Sequence, residues 1–275
     1  MILGLTSIQR NRGPWLLEWF AFHYVVGFRK FYFYAHMCDD NTAEIITRLK
    51  SRLDITAFFL PEKADQIQLS AYQHTCENYM QEVDWMCFLD GDEFIFPTQA
   101  NTMQEALWPY DQQPLSAIGV YNVNFGSAGH ISEPQGLITE NFKRRADING
   151  FLSNRRVKSI VKGRQTVSIT SCSHVFNTPH GTIDELKRPV TWGYLPDYVP
   201  SYEQFRVNHY VCQSREYYEK FKRKSGHADS GADNERDEAW WKRFDTNDEH
   251  DDYIMRFNDR LHSTIAEFKA AMALV

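Results

Sequence analysis

The sequence predicts an α/β protein: a mostly parallel sheet flanked by helices, followed by a C-terminal helical extension. Two observations carry this. Apolar strand-like runs alternate with helical patterns through residues 2–89, in the order β-α-β-α-β-α-β. The fourth run, Trp85-Met86-Cys87-Phe88-Leu89, is short and continuously apolar, as a central strand buried on both faces must be.

Residues 2–6 give the first strand. Pro14 opens an apolar stretch from Trp15 to Val26 and Gly27 follows it, the Pro-first, Gly-last arrangement of a buried helix. Residues 30–35, rich in aromatics, read as a strand. Asn41 is placed to cap the next helix, with Glu44 three positions on and Ile45, Ile46, Leu49 and Leu53 at helical spacing. Residues 55–60 form a strand closed by Pro61, and 66–83 a third helix. Beyond Pro97, residues 117–125 and 166–176 read as strands, with the flexible loop Gly126-Ser127-Ala128-Gly129-His130 and a basic stretch from Lys143 to Arg164 between them. That stretch, with Arg155, Arg156, Lys158 and Lys162, reads as a solvated face; its sharper reading is contact with an anionic acceptor or membrane surface. Residues 214–224 form a charged helix stopped by Gly226, 227–238 a polar loop, and 239–272 one or two helices. The division expected is a main domain over 1–226, with 227–275 a polar loop and helical extension of it.

With 275 residues, 43% hydrophobic and 24% charged, the chain has material for one large domain. A net charge of −6 argues against generic nucleic-acid binding. The five cysteines, Cys38, Cys76, Cys87, Cys172 and Cys212, are odd in number and lack a CxxC pair, so free thiols in a reducing compartment are expected. No run approaches the ~20 apolar residues of a membrane span. The expected location is cytoplasmic, with peripheral attachment to the inner membrane face as a further option.

Chemistry points to Asp90-Gly91-Asp92 at the carboxyl end of the fourth strand, the edge where such sheets bind ligands. Asp-x-Asp alone is a weak signal. After a buried strand, in extended backbone, it aims two hard oxygen donors to one side, suited to Mg²⁺ or Mn²⁺ bridging a diphosphate. Gly91 lets a ligand approach the backbone, and Glu93 can support from behind. A calcium loop is disfavoured because Asn101 stands where its bidentate glutamate belongs. No GxxxxGK[ST], GxSxG or HExxH occurs.

Several segments together resemble the GT-A glycosyltransferases of family 92 and the related family 2, Rossmann-like enzymes. Arg10-Asn11 with Leu17-Glu18-Trp19 and His23 matches the first motif, Phe31-Tyr32-Phe33-Tyr34 with Asp39-Asp40 the second, and 68–76 the helix before the metal motif. Asp90-Gly91-Asp92-Glu93-Phe94 matches the metal motif, 125–130 the central loop and Asn208-His209-Tyr210 the late motif, all in order across roughly residues 1–225. Two positions depart from the pattern: Arg12 replaces an acidic residue, and Gln213-Ser214 a Lys-Ser pair. Both bear on donor or phosphate contacts.

The resemblance implies transfer of a sugar from a nucleotide sugar, a UDP-sugar foremost, to a hydroxyl of a glycan or glycolipid acceptor, with inversion and with Mn²⁺ or Mg²⁺. It implies donor contacts from Arg10, Asn11, Asp40, Gln68, Asp90 and Gly91, metal ligation by Asp90, Asp92 and His209, and acceptor contacts from Gly129 and His130. Inversion needs one general base on the acceptor side; Glu133, Glu140, Asp184 and Glu185 are candidates by position. Competing readings are a nucleotidyl or phosphoryl transferase on the same sheet and an inactive sugar-binding scaffold. The Trp240-Trp241 pair is assigned to anchoring the last helix, over stacking on sugar.

Overall fold

The computed structural model describes residues 1–224 and 235–273. The chain begins with β1 (Leu3–Gln9), α1 (Gly13–Val25), β2 (Lys30–His36), α2 (Thr42–Leu49), β3 (Asp54–Leu60), α3 (Ile67–Asn78) and β4 (Trp85–Phe88), the alternation expected. There follow β5 (Glu93–Pro97), α4 (Met103–Asp111), β6 (Ala117–Asn124), α5 (Ile138–Asn141), β7 (Arg144–Arg145), β8 (Val157–Lys162), β9 (Ser168–Ile169), β10 (Phe176–Asn177), β11 (Thr182–Asp184) and β12 (Phe205–His209). The last elements are α6 (Arg215–Tyr217), which runs into a wider turn over 218–222, then α7 (Glu238–Phe244), β13 (Glu249–His250) and α8 (Asn258–Met272).

Nine strands form one sheet in the order β3-β2-β1-β4-β8-β6-β12-β5, with β11 beside β6. β3, β2, β1 and β4 are mutually parallel; β8 runs antiparallel between β4 and β6, and β5 antiparallel to β12. β12 and β6 are parallel. The carboxyl ends of β1, β2, β4, β6 and β12 and the amino end of β8 therefore share one edge.

α1 is buried on nearly all sides by Trp15, Leu16, Trp19, Phe20 and Phe22. It stops where Gly27, at φ 120°, donates its N–H to Tyr24 and lets Phe28 donate to His23, a Schellman closure requiring left-handed backbone. Leu261, Ile265 and Phe268 of α8 join the same core cluster as α1 and β1. All five cysteines are unpaired thiols, and among the described residues no helix is long and apolar enough to cross a membrane.

Four expectations need correction. Asn41 makes no capping bond; Asp40 does that work, accepting from Thr42 N–H at 3.0 Å and from Gly13 N–H at 2.9 Å, and so ties the starts of α2 and α1 together. The third helix ends at Asn78, and a separate short 3₁₀ turn covers Met80–Glu82. Residues 166–176 are not one strand: β9 and β10 pair with each other as a small antiparallel ribbon, because the place beside β4 is taken by β8. And β8 comes from the basic stretch read as a solvated face. Its Val157, Ile160 and Val161 are fully buried, and so is Lys158. Gly226 and residues 227–234, expected as a helix stop and loop, lie outside the described residues.

The 126–142 segment is fastened to the core by a buried carboxyl. Glu18 accepts from Ile138 N–H (2.7 Å), Thr139 N–H (3.0 Å) and the Thr139 hydroxyl (2.8 Å). Burial drives its pKa from 4.5 up to about 7, and the two backbone N–H bonds oppose that rise. An acid whose folded pKa is raised stabilises the fold fully below its unfolded value. That contribution is lost as pH climbs through about 7. A displacement of this size corresponds to about 3 kcal/mol. Urea unfolding of Glu18→Gln between pH 4.5 and 8 should show a flatter decline of stability than the unaltered chain; parallel curves would contradict this assignment.

Candidate active site

The β4-to-β5 connection is a turn and not extended backbone, so Asp90 and Asp92 take different partners. Glu93 N–H donates to Asp90 C=O at 3.3 Å, and the Glu93 carboxylate accepts from Asp90 N–H at 3.0 Å. Gly91 lies against Gln9: a Cβ there would stand 2.6 Å from the Gln9 side chain. The Gln9 Oε1 is buried and, among the described residues, has no hydrogen-bond partner.

Asp90 accepts from Gln68 Nε2 at 2.6 Å through Oδ1 and from Lys158 Nζ at 2.8 Å through Oδ2. Lys158 also lies 3.1 Å from Glu93 Oε2, both side chains 1% exposed. Burial opposes the charge on all three groups. For Asp90 the ammonium of Lys158 outweighs it, leaving the carboxyl below its ordinary value. For Lys158 the pull of Asp90 and Glu93 wins, and the amine is held well above its ordinary value. For Glu93 burial prevails and pushes the carboxyl up.

Asp92 is the second centre. Its Oδ2 is paired with Lys222, and its Oδ1 lies 3.6 Å from His209 Nε2. Burial would raise its carboxyl, but Lys222, His209 and Arg12 hold it well below the usual range. Tyr210 N–H anchors the Asp92 carbonyl at 2.8 Å. His209 reaches this point because β12 is hydrogen-bonded to β5 with His209 opposite Glu93.

Arg12 closes the ring. Its guanidinium donates to Gly91 C=O (3.0 Å) and the Tyr217 hydroxyl (2.7 Å) and stacks 4.5 Å from the centre of the Trp15 ring. With the Gln213 amide oriented so that its oxygen faces the same guanidinium, that oxygen accepts from it at 3.0 and 3.2 Å. The two departures from the family pattern, Arg12 and Gln213, therefore meet in space.

The other predicted residues divide clearly. Gln68, Asp90, Gly91, Asp92 and His209 sit together. Asn11 exchanges bonds with Asp39, with 2.9 Å from Asp39 N–H to Asn11 Oδ1, at the adjoining end of β1. Arg10 is exposed there. Asp40 is committed to capping. Gly129, at φ 81°, has open space around its missing Cβ. His130 Nε2 is 3.3 Å from the Asn141 carbonyl. Among the carboxylates offered as base, Glu133 accepts from Trp15 Nε1 (3.1 Å) and from the Ser214 hydroxyl. Asp184 is fully buried, locked to Tyr121 and Arg188. Glu185 receives Glu203, Gln204 and Phe205 N–H groups at the start of β12. Glu140 binds Asn258 and His262 of α8. Trp240 and Trp241 pack with Tyr218 and Phe244. Lys158 and Lys222 were missed. The β-branched run around Lys158 was the available signal; nothing local marks Lys222.

Arg12, Lys158 and Lys222 thus face Asp90, Asp92 and Glu93, three cations against three carboxyls, one of which burial urges toward its proton. Among the described residues no three His, Cys, Asp or Glu side chains converge to hold a metal. Asp92 Oδ1 and His209 Nε2, 3.6 Å apart, are an oxygen and an imidazole donor that would have to close to about 3.0 Å to sit side by side on one octahedral divalent ion. Such an ion would complete its shell with phosphate or water.

The model of glycosyltransferase family 92 matches residues 5–244, and the chain belongs to that family. A family 92 protein of Oryza sativa subsp. japonica is 25% identical over 178 residues, 64% of this chain and 29% of its own length. One of Arabidopsis thaliana is 30% identical over 98 residues, 35% of this chain and 17% of its own length. The chain thus spans less than a third of either relative. Among solved structures, S. aureus TarS 1-349 is 13% identical with a TM-score of 0.43, covering 80% of this chain and 63% of that one. TarS 1-349 in complex with UDP-GlcNAc gives 14% and 0.39, covering 59% and 45%.

Removing the ammonium from this cluster should be costly. Lys158→Met leaves buried acids unpaired and should lower unfolding free energy by about 3–5 kcal/mol. Adding Glu93→Gln to that variant should restore part of the loss. Chemical denaturation measures both; a loss below about 1 kcal/mol in the single variant would contradict the buried pairing.

Proposed function

We propose that this chain is a metal-dependent, inverting glycosyltransferase that moves a sugar from a nucleotide sugar, a UDP-sugar foremost, to a hydroxyl of a glycan or glycolipid. Membership of family 92 supports the reaction class. The observation that carries the site is the Asp92–His209–Lys222 cluster beside Asp90–Lys158, at the carboxyl edge of the parallel strands. A UDP-sugar is the donor that the family resemblance implies, and UDP is the first probe to use.

In this reading Asp92 and His209 hold Mn²⁺ or Mg²⁺, with Asp90 beside them. The bound ion would offset charge on the departing diphosphate. Lys158 and Lys222 supply fixed positive charge at the same edge, where it stabilises the leaving group without reorganisation. Gln68 orients the Asp90 carboxylate through a 2.6 Å bond, and Arg12 holds the Gly91 backbone through a 3.0 Å bond. The 126–130 loop, with Gly129 and His130, forms the acceptor side. In this reading Glu133, whose Oε1 accepts from Trp15 and whose Oε2 accepts from the Ser214 hydroxyl, takes the acceptor proton through the remaining lone pairs of its carboxylate. Action in surface polysaccharide or glycoconjugate assembly, at the cytoplasmic face of a membrane, completes the proposal.

The test is Asp92→Asn. Calorimetry with UDP should show Mn²⁺-strengthened binding by the unaltered chain and at least about a 100-fold weakening of that metal effect in the variant. Thermal melting should stay within a few degrees. Product analysis should give free UDP and transferred sugar; pyrophosphate as product would instead identify a nucleotidyl transferase. Full activity of Asp92→Asn would remove Asp92 from the reaction.

A further inference from the structure

One histidine near the Asp90–Lys158 pair has no part in the scheme above. His174 lies on the turn between β9 and β10 and is half-buried. It is held to β8 twice. Its Nδ1 is 2.8 Å from the Val157 carbonyl oxygen, and its own carbonyl accepts from the Ser159 hydroxyl at 2.6 Å. Val157 and Ser159 flank Lys158. A carbonyl oxygen can only accept, so Nδ1 carries the proton and the tautomer is settled. In the neutral ring Nε2 is then a bare lone pair, and among the described residues it has no partner.

The ring is also fixed from behind. Gly193 packs against it so closely that a Cβ there would stand 2.7 Å from His174 Cβ and 3.0 Å from Cγ. Gly193 in turn accepts from Val157 N–H at 3.1 Å. His174 lies within electrostatic reach of both Lys158 and Asp90. Burial, followed by the charge of Lys158, pushes its pKa down to about 3, so the ring stays neutral across the working range. A histidine locked in position, in tautomer and in charge next to a sugar-nucleotide site is built to accept a hydrogen bond.

The geometry points to His174 Nε2 as the acceptor for a hydroxyl of the transferred sugar, which makes His174 a specificity-determining residue for the donor. With the diphosphate at Asp92 and His209 as proposed above, the donor group that would lie beside Asp90 and Lys158 is the sugar attached to it. A neutral acceptor discriminates well, because a deoxy analogue leaves it unpaired. This inference rests on the glycosyltransferase reading.

The direct experiment is histidine side-chain ¹⁵N NMR on the unaltered chain, titrated with UDP, UDP-glucose, UDP-galactose and UDP-GlcNAc plus diamagnetic Mg²⁺. The expected result is an Nε2 shift for His174 with a nucleotide sugar and none with UDP. The companion variant is His174→Asn, whose amide can keep the Val157 bond while removing the Nε2 acceptor. It should lower kcat/KM for the preferred donor about tenfold, leave UDP affinity within about twofold, and show no loss with the donor lacking the recognised hydroxyl. Nucleotide sugars that saturate the chain while His174 stays silent would overturn this inference and leave the transferase standing. A fall in UDP affinity equal to the fall in kcat/KM would also overturn it. No binding of any nucleotide sugar by the unaltered chain would overturn the transferase reading, and this inference with it.

Discussion

The arrangement depends on one buried ammonium. Lys158 sits on the central antiparallel strand of the sheet, 2.8 Å from Asp90 and 3.1 Å from Glu93, with almost no exposure. Burying a charge there is affordable only because two carboxyls meet it. The consequence is geometric. Lys158 fixes Asp90 from one side while Gln68 fixes it from the other, and Glu93 grips the turn from below. The turn then presents Asp92 to His209 and Lys222 on the β12 side. A loop that would otherwise be mobile becomes a stiff platform at the strand ends, as preorganised catalysis requires.

How much of this was readable beforehand follows from which signals are local. The β-α alternation and the buried fourth strand are written in apolar periodicity, and the structure places Asp90 where that pattern put it. The turn conformation of Asp90-Gly91-Asp92 was not legible, because it is set by Glu93 reaching back to Asp90 N–H and by Lys158 from far along the chain. Lys158 was hidden in plain view. A lysine inside a basic run reads as solvated until Val157, Ile160 and Val161 are recognised as one buried strand. Residues 166–176 misled for the converse reason. Their β-branched content signals extended chain, while the turn carrying His174 breaks it into a ribbon. Asp184 and Glu185 looked like candidate bases because position in sequence says nothing about commitment; their oxygens are occupied by Arg188 and by the entry to β12.

The departures at Arg12 and Gln213 change meaning once they are seen in contact. Separately each is the loss of an expected charge. Together they form a bonded pair that still braces Gly91, with Trp15 stacked on the guanidinium. Trp15 also donates to Glu133, so the same brace extends to the segment that follows the 126–130 loop. Glu18 adds a second tie between α1 and that side. One helix thereby ties both the turn at Gly91 and the 133–139 segment to the same rigid core.

The central claim is that Asp92 and His209 define where a divalent ion meets a sugar-bearing diphosphate. Anomalous diffraction from a crystal of the chain soaked with UDP and Mn²⁺, collected at the manganese edge, addresses it most directly. The account predicts one strong anomalous peak within bonding distance of Asp92 Oδ1 and His209 Nε2, with the diphosphate beside it. A diphosphate bound at another edge of the sheet, or manganese bound away from both residues, would contradict it.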